Sequence, residues 1–401
     1  MSSDVDSIPL PHGFRFAGVA SGIKASGKHD VSIVVTDAPA VAAAVTTTNQ
    51  IVAAPVLLCR ERTPTDRFRA VITNSGNANA CTGEQGVRDA AEMTQRVSEK
   101  LACDTEQVLV MSTGIIGQHL PMPAVRNGID AACEQITGDV SAFLRSADAI
   151  CTTDASRKIA SGTVATSEGD FQIAAMAKGA GMIAPNMATM LAILMTDAPL
   201  SPATADSLLK HITRQTFNRV SVDGHTSTND TFLLLSSTGA ARPELNPVDQ
   251  QSFQNAATKI SLDLAKMLVA DGEGAKRCFV VHVSGARDDA EAETLARTVA
   301  ASPLVKTAIT GADPNWGRIV SAAGYAGIPI IPEKTSLTIQ GTCVFRDGQP
   351  ASHDAAACSK TMSESDEVTL ELCVGDGDGA ASFWSSDLTE AYVRFNSLYT
   401  T

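Results

Sequence analysis

Lys178–Ala198 of this chain reads KGAGMIAPNMATMLAILMTDA, a glycine-rich turn with one proline followed by an apolar segment. Within this stretch, Thr189 is the only hydroxyl residue in the run of small and hydrophobic side chains from Met187 to Met195. A single Thr in such a run is typical of a buried strand. It is also a place where a chain can be cut to expose a Thr nucleophile, so two interpretations stay open on this stretch alone.

The chemistry of the second interpretation depends on a free amine. A Thr hydroxyl is a poor nucleophile unless a base takes its proton, and in enzymes with an N-terminal Thr that base is the residue's own α-amine. Such an amine has a pKa of about 7.7–8.0 and is partly neutral near pH 7. Because Thr189 is internal, the chain would have to break between Ala188 and Thr189, by attack of the Thr189 hydroxyl on the Ala188 carbonyl.

Further motifs occur along the chain in a fixed order, and together they resemble the ornithine acetyltransferases, the ArgJ family of arginine biosynthesis. Besides the stretch quoted above, they are NSGNANACTG (74–83), MSTGIIG (111–117), CTTD (151–154), SVDGHTSTNDT (221–231), DGEGA (271–275), SPLVKTAITGADPNWGRI (302–319) and DLTEAYVRFNSLYTT (387–401). The resemblance covers nearly the whole chain.

This resemblance implies a fold, an activity and an assembly. The fold is a self-processing α/β sandwich of the aminopeptidase-like type. Cleavage gives an α chain, residues 1–188, and a β chain, residues 189–401, which stay associated as a heterotetramer of two α and two β chains. The enzyme moves the acetyl group of N-acetylornithine to glutamate by a ping-pong reaction through acetyl-Thr189. No cofactor is expected, although a bifunctional member would also accept acetyl-CoA.

The resemblance also assigns roles to individual residues. Thr189 is the nucleophile, and the Thr113 side chain and the Gly114 N–H form the oxyanion hole. The expected substrate-binding residues are Thr152, Lys178, Thr189, Glu273, Asn396 and Thr401. Residue chemistry alone does not separate Thr152 from its neighbour Thr153, and the resemblance to the family favours Thr152. At position 225 this chain has His where the family usually has Asp, which puts the role of that position in doubt.

Each of these residues also has a purely structural interpretation. Gly114 could simply permit an unusual backbone at a strand-to-loop turn. Lys178, suited to a substrate carboxylate, could be a solvated turn residue. Glu273, suited to the ornithine amine or to the amine of Thr189, could be a charge at a helix end. For the whole protein, the alternatives are a self-cleaving amidohydrolase or aminopeptidase and a non-catalytic binding protein.

Composition limits the partners. The 401 residues carry a net charge of −13, which argues against nucleic acid or an anionic membrane as the main partner. The nine Cys are odd in number and contain no CxxC, so neither a disulfide framework nor a zinc ribbon is indicated. Seven dispersed His show no metal-ligand spacing. We therefore expect no metal and a cytoplasmic protein with reduced thiols.

Alternating apolar strands and helical segments predict an α/β class. Val108–Val110 should be a buried strand that enters a turn at Ser112–Gly117. A helix is expected after Thr82, with Thr82 as N-cap and Gln85 completing a capping box. Its buried side is expected to carry Val87, Ala90, Ala91, Val97 and Leu101. One strand face is predicted from the alternation of Val368, Leu370, Leu372 and Val374.

Overall fold

The computed structural model describes residues 8–183, 190–238 and 243–398. They form two compact units. The first contains the described residues of 8–218 and 225–268, and the second contains 219–224 and 269–398. The predicted cleavage point after Ala188 falls within the sequence of the first unit, so the expected α and β chains are not these two units.

The first unit contains eight strands in one sheet. They are β1 (Phe14–Val19), β2 (Val31–Thr46), β3 (Thr65–Asn77), β4 (Val108–Ile115), β5 (Lys158–Thr166), β6 (Gly169–Lys178), β7 (Leu191–Thr196) and β9 (Thr231–Ser236). The strand order is β4-β3-β2-β9-β7-β6-β5, and β1 pairs with β2. The β3–β4 and β7–β9 pairs are parallel and the others antiparallel, so the sheet is mixed.

Helices cover both faces of this sheet where β2 and β3 lie. The helices of the unit are α1 (Ala54–Arg62), α2 (Gly83–Leu101), α3 (Met122–Glu134), α4 (Val140–Ile150), α5 (Pro202–Gln215) and α6 (Pro247–Ala270), which ends at the junction. Successive strand residues point to opposite faces. Val34 therefore packs in a core with Phe143 of α4, and Ile33 packs in a second core with Met93 of α2.

The second unit is built on a seven-stranded mixed sheet. Its strands are β8 (Val220–Ser221), β10 (Cys278–Ala286), β11 (Ser336–Ile339), β12 (Thr342–Arg346), β13 (Gln349–Pro350), β14 (Glu367–Cys373) and β15 (Gly379–Ser386), in the order β13-β12-β11-β14-β10-β15-β8. Its helices are α7 (Asp289–Ala301), α8 (Pro303–Thr310), α9 (Trp316–Gly324), α10 (Ala355–Glu364) and α11 (Glu390–Leu398). One core joins the sheet to helices α7–α10.

Several local predictions are confirmed. The α/β class holds in both units, and the alternating residues Val368, Leu370, Leu372 and Val374 are all buried. Thr82 is the N-cap residue of α2. Among the described residues, no helix has the length and hydropathy that a membrane span requires.

Other local predictions are wrong. The capping box is absent because the Thr82 hydroxyl donates to Asn79 Oδ1 and the Gln85 amide donates to Asp89. On α2, Val87 and Ala91 are exposed, since the buried stripe runs through Ala90, Met93 and Val97. The predicted turn begins too early: β4 continues through Ser112 to Ile115, where it pairs with β3.

Candidate active site

The predicted scissile bond, Ala188–Thr189, lies outside the described residues, and so does Thr401. The strands that flank the bond are described. Strand β6 ends at Lys178, strand β7 begins at Leu191, and these two residues are register partners in an antiparallel pair. The chain therefore leaves the sheet after Lys178 and re-enters it beside the same residue.

Lys178 is buried, with 3% of its surface exposed. Its ammonium nitrogen Nζ donates a hydrogen bond to Thr113 Oγ1 at 3.2 Å. The structure thus brings together two predicted site residues that are 65 positions apart and lie on strands that are not neighbours in the sheet. The alternative interpretation of Lys178 as a solvated turn residue is wrong.

Gly114 follows Thr113 on β4 and has a φ of +135°. A Cβ atom at this position would lie 2.3 Å from the carbonyl carbon of Gly76 on β3, which is closer than any real contact. Glycine is therefore required by its backbone conformation and by the close approach of β3. This requirement is compatible with an oxyanion donor and with a purely structural glycine, so the oxyanion role stays a prediction.

A buried carboxylate connects the Thr152 segment to the end of β6. Asp154 Oδ1 accepts hydrogen bonds from Lys158 Nζ and from the Gly179 N–H, both at 2.6 Å. Asp154 Oδ2 accepts one from the Thr152 N–H at 2.9 Å. Burial alone would raise the pKa of this carboxyl, but the ammonium groups of Lys178 and Lys158 and the Gly179 N–H lower it to about 2.

Three lysine side chains lie around Asp154. A third lysine, Lys24, donates to the carbonyl oxygens of His29 and Cys151, each at 2.6 Å. Burial lowers the pKa of its ammonium to about 8, against the attraction of Asp30 and Asp154. Lys24, Lys158 and Lys178 thus bring three ammonium groups close to Asp154. Ammonium groups favour ligands that carry a carboxylate.

The second unit joins two other predicted residues. Glu273 lies in the turn after α6, and its Oε2 accepts a hydrogen bond from Nδ2 of Asn396 on α11 at 3.1 Å. The next residue, Gly274, has a φ of +68°, and a Cβ there would lie 2.5 Å from the Tyr392 nitrogen. The turn and α11 are therefore packed too closely for a side chain at this position. Glu273 is thus paired with Asn396 in the turn that follows α6.

Asp154 lies in the CTTD motif but was not predicted as a site residue. A buried acidic residue between two lysines has no local sequence signature, because Lys178 comes from a different strand. His225 is exposed. Among the described residues, no group of His, Cys, Asp and Glu could hold a metal ion.

Comparison with known proteins identifies the family. Residues 15–401 match the model of the ArgJ family. A relative from Rhodopirellula baltica, named arginine biosynthesis bifunctional protein ArgJ, is 62% identical over 395 residues, covering 98% of this chain and 96% of the relative. A relative of the same name from Geobacter sulfurreducens is 43% identical, with 97% and 99% covered.

Solved structures of the same family are also similar to this chain. An ornithine acetyltransferase from Mycobacterium tuberculosis, solved in complex with ornithine, is 37% identical, with a TM-score of 0.42, over 47% of this chain and 98% of that one. The ArgJ structure from Bacillus halodurans is 38% identical, with a TM-score of 0.49, over 51% and 96%. The match of the family model and the two full-length relatives confirm the prediction from the motifs: this chain belongs to the ArgJ family.

Proposed function

We propose that this chain transfers the acetyl group of N-acetylornithine to glutamate through an acetyl-enzyme on Thr189, releasing ornithine and N-acetylglutamate. Its membership of the ArgJ family makes it an acyltransferase of arginine biosynthesis. The observation that carries the proposed site is the hydrogen bond from Lys178 to Thr113. It joins the end of β6, the strand before Thr189, to β4, which carries Thr113 and Gly114 and is called the oxyanion strand below.

The reaction needs a nucleophile that carries its own base. Cleavage of the Ala188–Thr189 bond would free the α-amine of Thr189, which can take the proton of the hydroxyl as the hydroxyl attacks the acetyl carbonyl. Ornithine leaves and an ester remains on Thr189. Glutamate then attacks this ester and restores the enzyme.

Each attack gives a tetrahedral intermediate with a negatively charged oxygen. In our proposal, this oxygen is stabilised by the Thr113 hydroxyl and the Gly114 N–H. The Lys178 ammonium holds Thr113 in place and attracts the carboxylate of the bound amino acid, with Thr152 beside it. Glu273, Asn396 and Thr401 are proposed to contact the amine end of ornithine, where a carboxylate is the appropriate partner.

The sheet of the first unit supports continued association after cleavage. Strands β1–β6 belong to the expected α chain, whereas β7 and β9 belong to the expected β chain. Because β7 pairs with β6 and β9 pairs with β2, two backbone ladders join the chains across the cut. We propose that the cut chains remain one folded unit and assemble further into a heterotetramer of two α and two β chains.

Two finer points follow from the same proposal. The relatives are named bifunctional, which supports acetyl-CoA as a second acetyl donor. The nine free thiols support a cytoplasmic location, because reduced cysteines are typical of that compartment.

The direct test is substitution of Thr189. We expect Thr189→Ala to stay one uncut chain without acetyl transfer, and Thr189→Ser to retain part of both reactions. Thr163→Ala, an exposed threonine on β5, serves as the control and should behave like the unmodified protein. Cutting is followed on a denaturing gel, and products are followed as acetylglutamate and free acetate. Acetate as the main product would favour a hydrolase, and normal activity of Thr189→Ala would contradict the proposal.

A further inference from the structure

A buried loop of four residues, Ser227–Asp230, contacts both the oxyanion strand and the residue that follows Thr189. We call it the STND loop after its sequence. All four residues are buried, and the loop leads into β9, the strand between β2 and β7. The segment belongs to the SVDGHTSTNDT motif, and no role was predicted for it.

Asn229 of the STND loop contacts the oxyanion strand. Its amide Nδ2 donates to the carbonyl oxygen of Ser112 at 2.9 Å and to that of Ala78 at 2.6 Å. Ser112 directly precedes Thr113. The loop is therefore fixed to the backbone one residue away from the proposed oxyanion hole.

Asp230 contacts the strand that follows the nucleophile. Its Oδ1 accepts a hydrogen bond from the Met190 N–H at 3.0 Å, and the Thr231 N–H donates to the Met190 carbonyl at 3.1 Å. On the other side, the Asp230 carbonyl accepts from the Thr47 N–H of the segment after β2 at 2.9 Å. The Met190 nitrogen is bonded to the carbonyl carbon of Thr189, so only three covalent bonds separate it from the Thr189 nitrogen.

We propose that Asp230 is a positioning residue for the acetyl transfer: it holds the start of the processed chain next to the oxyanion strand, and its carboxylate is the counter-charge of the amine that cleavage creates. This inference rests on the proposed function, since it requires the free amine of Thr189. In this proposal, the STND loop fixes the position of Thr189 relative to the oxyanion hole formed by Thr113 and Gly114.

The charge of Asp230 fits this task. Asp230 has only 1% of its surface exposed. Burial raises the pKa of its carboxyl well above the usual range, against the opposing effects of the Met190 N–H, Lys178 and Ser227. Lys178 of β6 is the charged side chain that acts on it. Burial therefore favours the protonated form of this carboxyl, because an unpaired charge would be costly there.

Cleavage changes this balance by adding a basic group. The O–H bond of the Asp230 carboxyl breaks, the new amine takes the proton, and an ammonium–carboxylate pair forms. The amine must release this proton to solvent before it can act as base, so activity rises with pH through the pKa of the amine. A neighbouring carboxylate raises that pKa, and its removal should move the acid side of the pH profile to lower pH.

The test compares three variants of the full chain. Asp230→Asn keeps the shape and an acceptor for the Met190 N–H but removes the charge. Asp230→Glu keeps the charge. Asp197→Asn is the matched control, because Asp197 is a buried aspartate just after the other end of β7 and accepts two backbone N–H groups, from His12 and Gln172.

For Asp230→Asn we expect cleavage to occur and kcat to fall about tenfold. The acid limb of the pH profile, where kcat/KM rises with pH, should lie about one pH unit lower than in the unmodified enzyme. The KM for N-acetylornithine should change little. Asp230→Glu and Asp197→Asn should keep the acid limb of the unmodified enzyme.

Two results would overturn the proposal: an unshifted limb in Asp230→Asn, or the same shift in Asp197→Asn. If Asp230→Asn does not fold, Asp230→Glu decides, because a shifted limb in that variant contradicts a counter-charge. Absence of acetyl transfer in the unmodified protein would instead refute the proposed function, so the two failures are distinguishable.

Discussion

Asp154 and Asp230 are two buried carboxyl groups of the first unit, and their surroundings differ in one respect. Asp154 lies between the ammonium groups of Lys158 and Lys178, and its pKa falls to about 2 in spite of burial. Asp230 has mainly neutral donors around it, and burial raises its pKa well above the usual range. Burial alone therefore does not set the charge of a carboxyl; its partners do.

This difference suggests different tasks. Asp154 is an anion at every pH at which the protein works, and it fixes the segment of Thr152 to the end of β6. Asp230 can change its charge when a basic group appears nearby. The following predictions test this contrast, beginning with the largest expected effect.

Asp154→Asn should cost the most stability. The variant leaves Lys158, whose side chain is 1% exposed, without its carboxylate partner, and breaking a buried ion pair costs about 3–5 kcal/mol of unfolding free energy. Denaturant unfolding in the uncut Thr189→Ala background measures this. The control is Asp148→Asn, which removes the partly exposed pair with Arg157 and should cost less than about 1 kcal/mol. Equal losses in the two variants would show that the buried pair of Asp154 and Lys158 contributes no more stability than a partly exposed pair.

Lys178→Met should reduce acetyl transfer about a hundredfold while the protein stays folded, because it removes the cation that contacts Thr113. The measurement is kcat/KM for N-acetylornithine. Lys210→Met, at an exposed lysine on α5 paired with Asp206, should leave the rate unchanged. A kcat/KM of Lys178→Met close to that of the control would show that Lys178 is not part of the active site.

The contribution of Asp154 should appear in the unfolding free energy measured at low pH. Its pKa is lower in the folded chain than in the unfolded one, so its contribution is fully present above about pH 4 and is lost as the pH falls through about 2. The shift corresponds to about 2 kcal/mol. Unfolding free energies of Asp154→Asn and its parent should therefore converge by about this amount between pH 4 and pH 2. Parallel curves would contradict the pairing.

Asp230→Asn should change the unfolding free energy least near pH 4, and its effect at higher pH should have the opposite sign. The folded chain holds the proton more tightly than the unfolded chain, so the contribution of Asp230 is present at low pH and decreases as the pH rises above the unfolded pKa. In the Thr189→Ala background, the variant should match its parent within about 0.5 kcal/mol near pH 4. It should become the more stable protein as the pH increases. A variant that loses stability with rising pH would disprove the raised pKa.

The sequence predicted the parts of the fold that depend on local pattern. The alternation around Leu370 identified a strand face, and Thr82 was correctly placed at the start of α2. The prediction for the buried side of α2 failed at Val87, because hydrophobicity alone does not show that the stripe through Met93 faces the sheet. The capping box failed because Thr82 and Gln85 found other partners, Asn79 and Asp89.

The site was predicted as a set of residues and not as an arrangement. Resemblance to the family named Thr113 and Lys178, but their contact depends on how β4 and β6 approach each other in space, which no local pattern encodes. Asp154 and Asp230 were missed for a related reason. Their significance lies in burial and in partners that are distant in sequence, such as Lys178 for both of them.

The central claim is that Thr189 carries the acetyl group during turnover. The most direct measurement is the intact mass of the separated chains after incubation with N-acetylornithine in the absence of glutamate. The account predicts one added acetyl group on the fragment that begins at Thr189, which disappears when glutamate is supplied. An active preparation that stays uncut, or that never carries an acetyl group on this fragment, would contradict it.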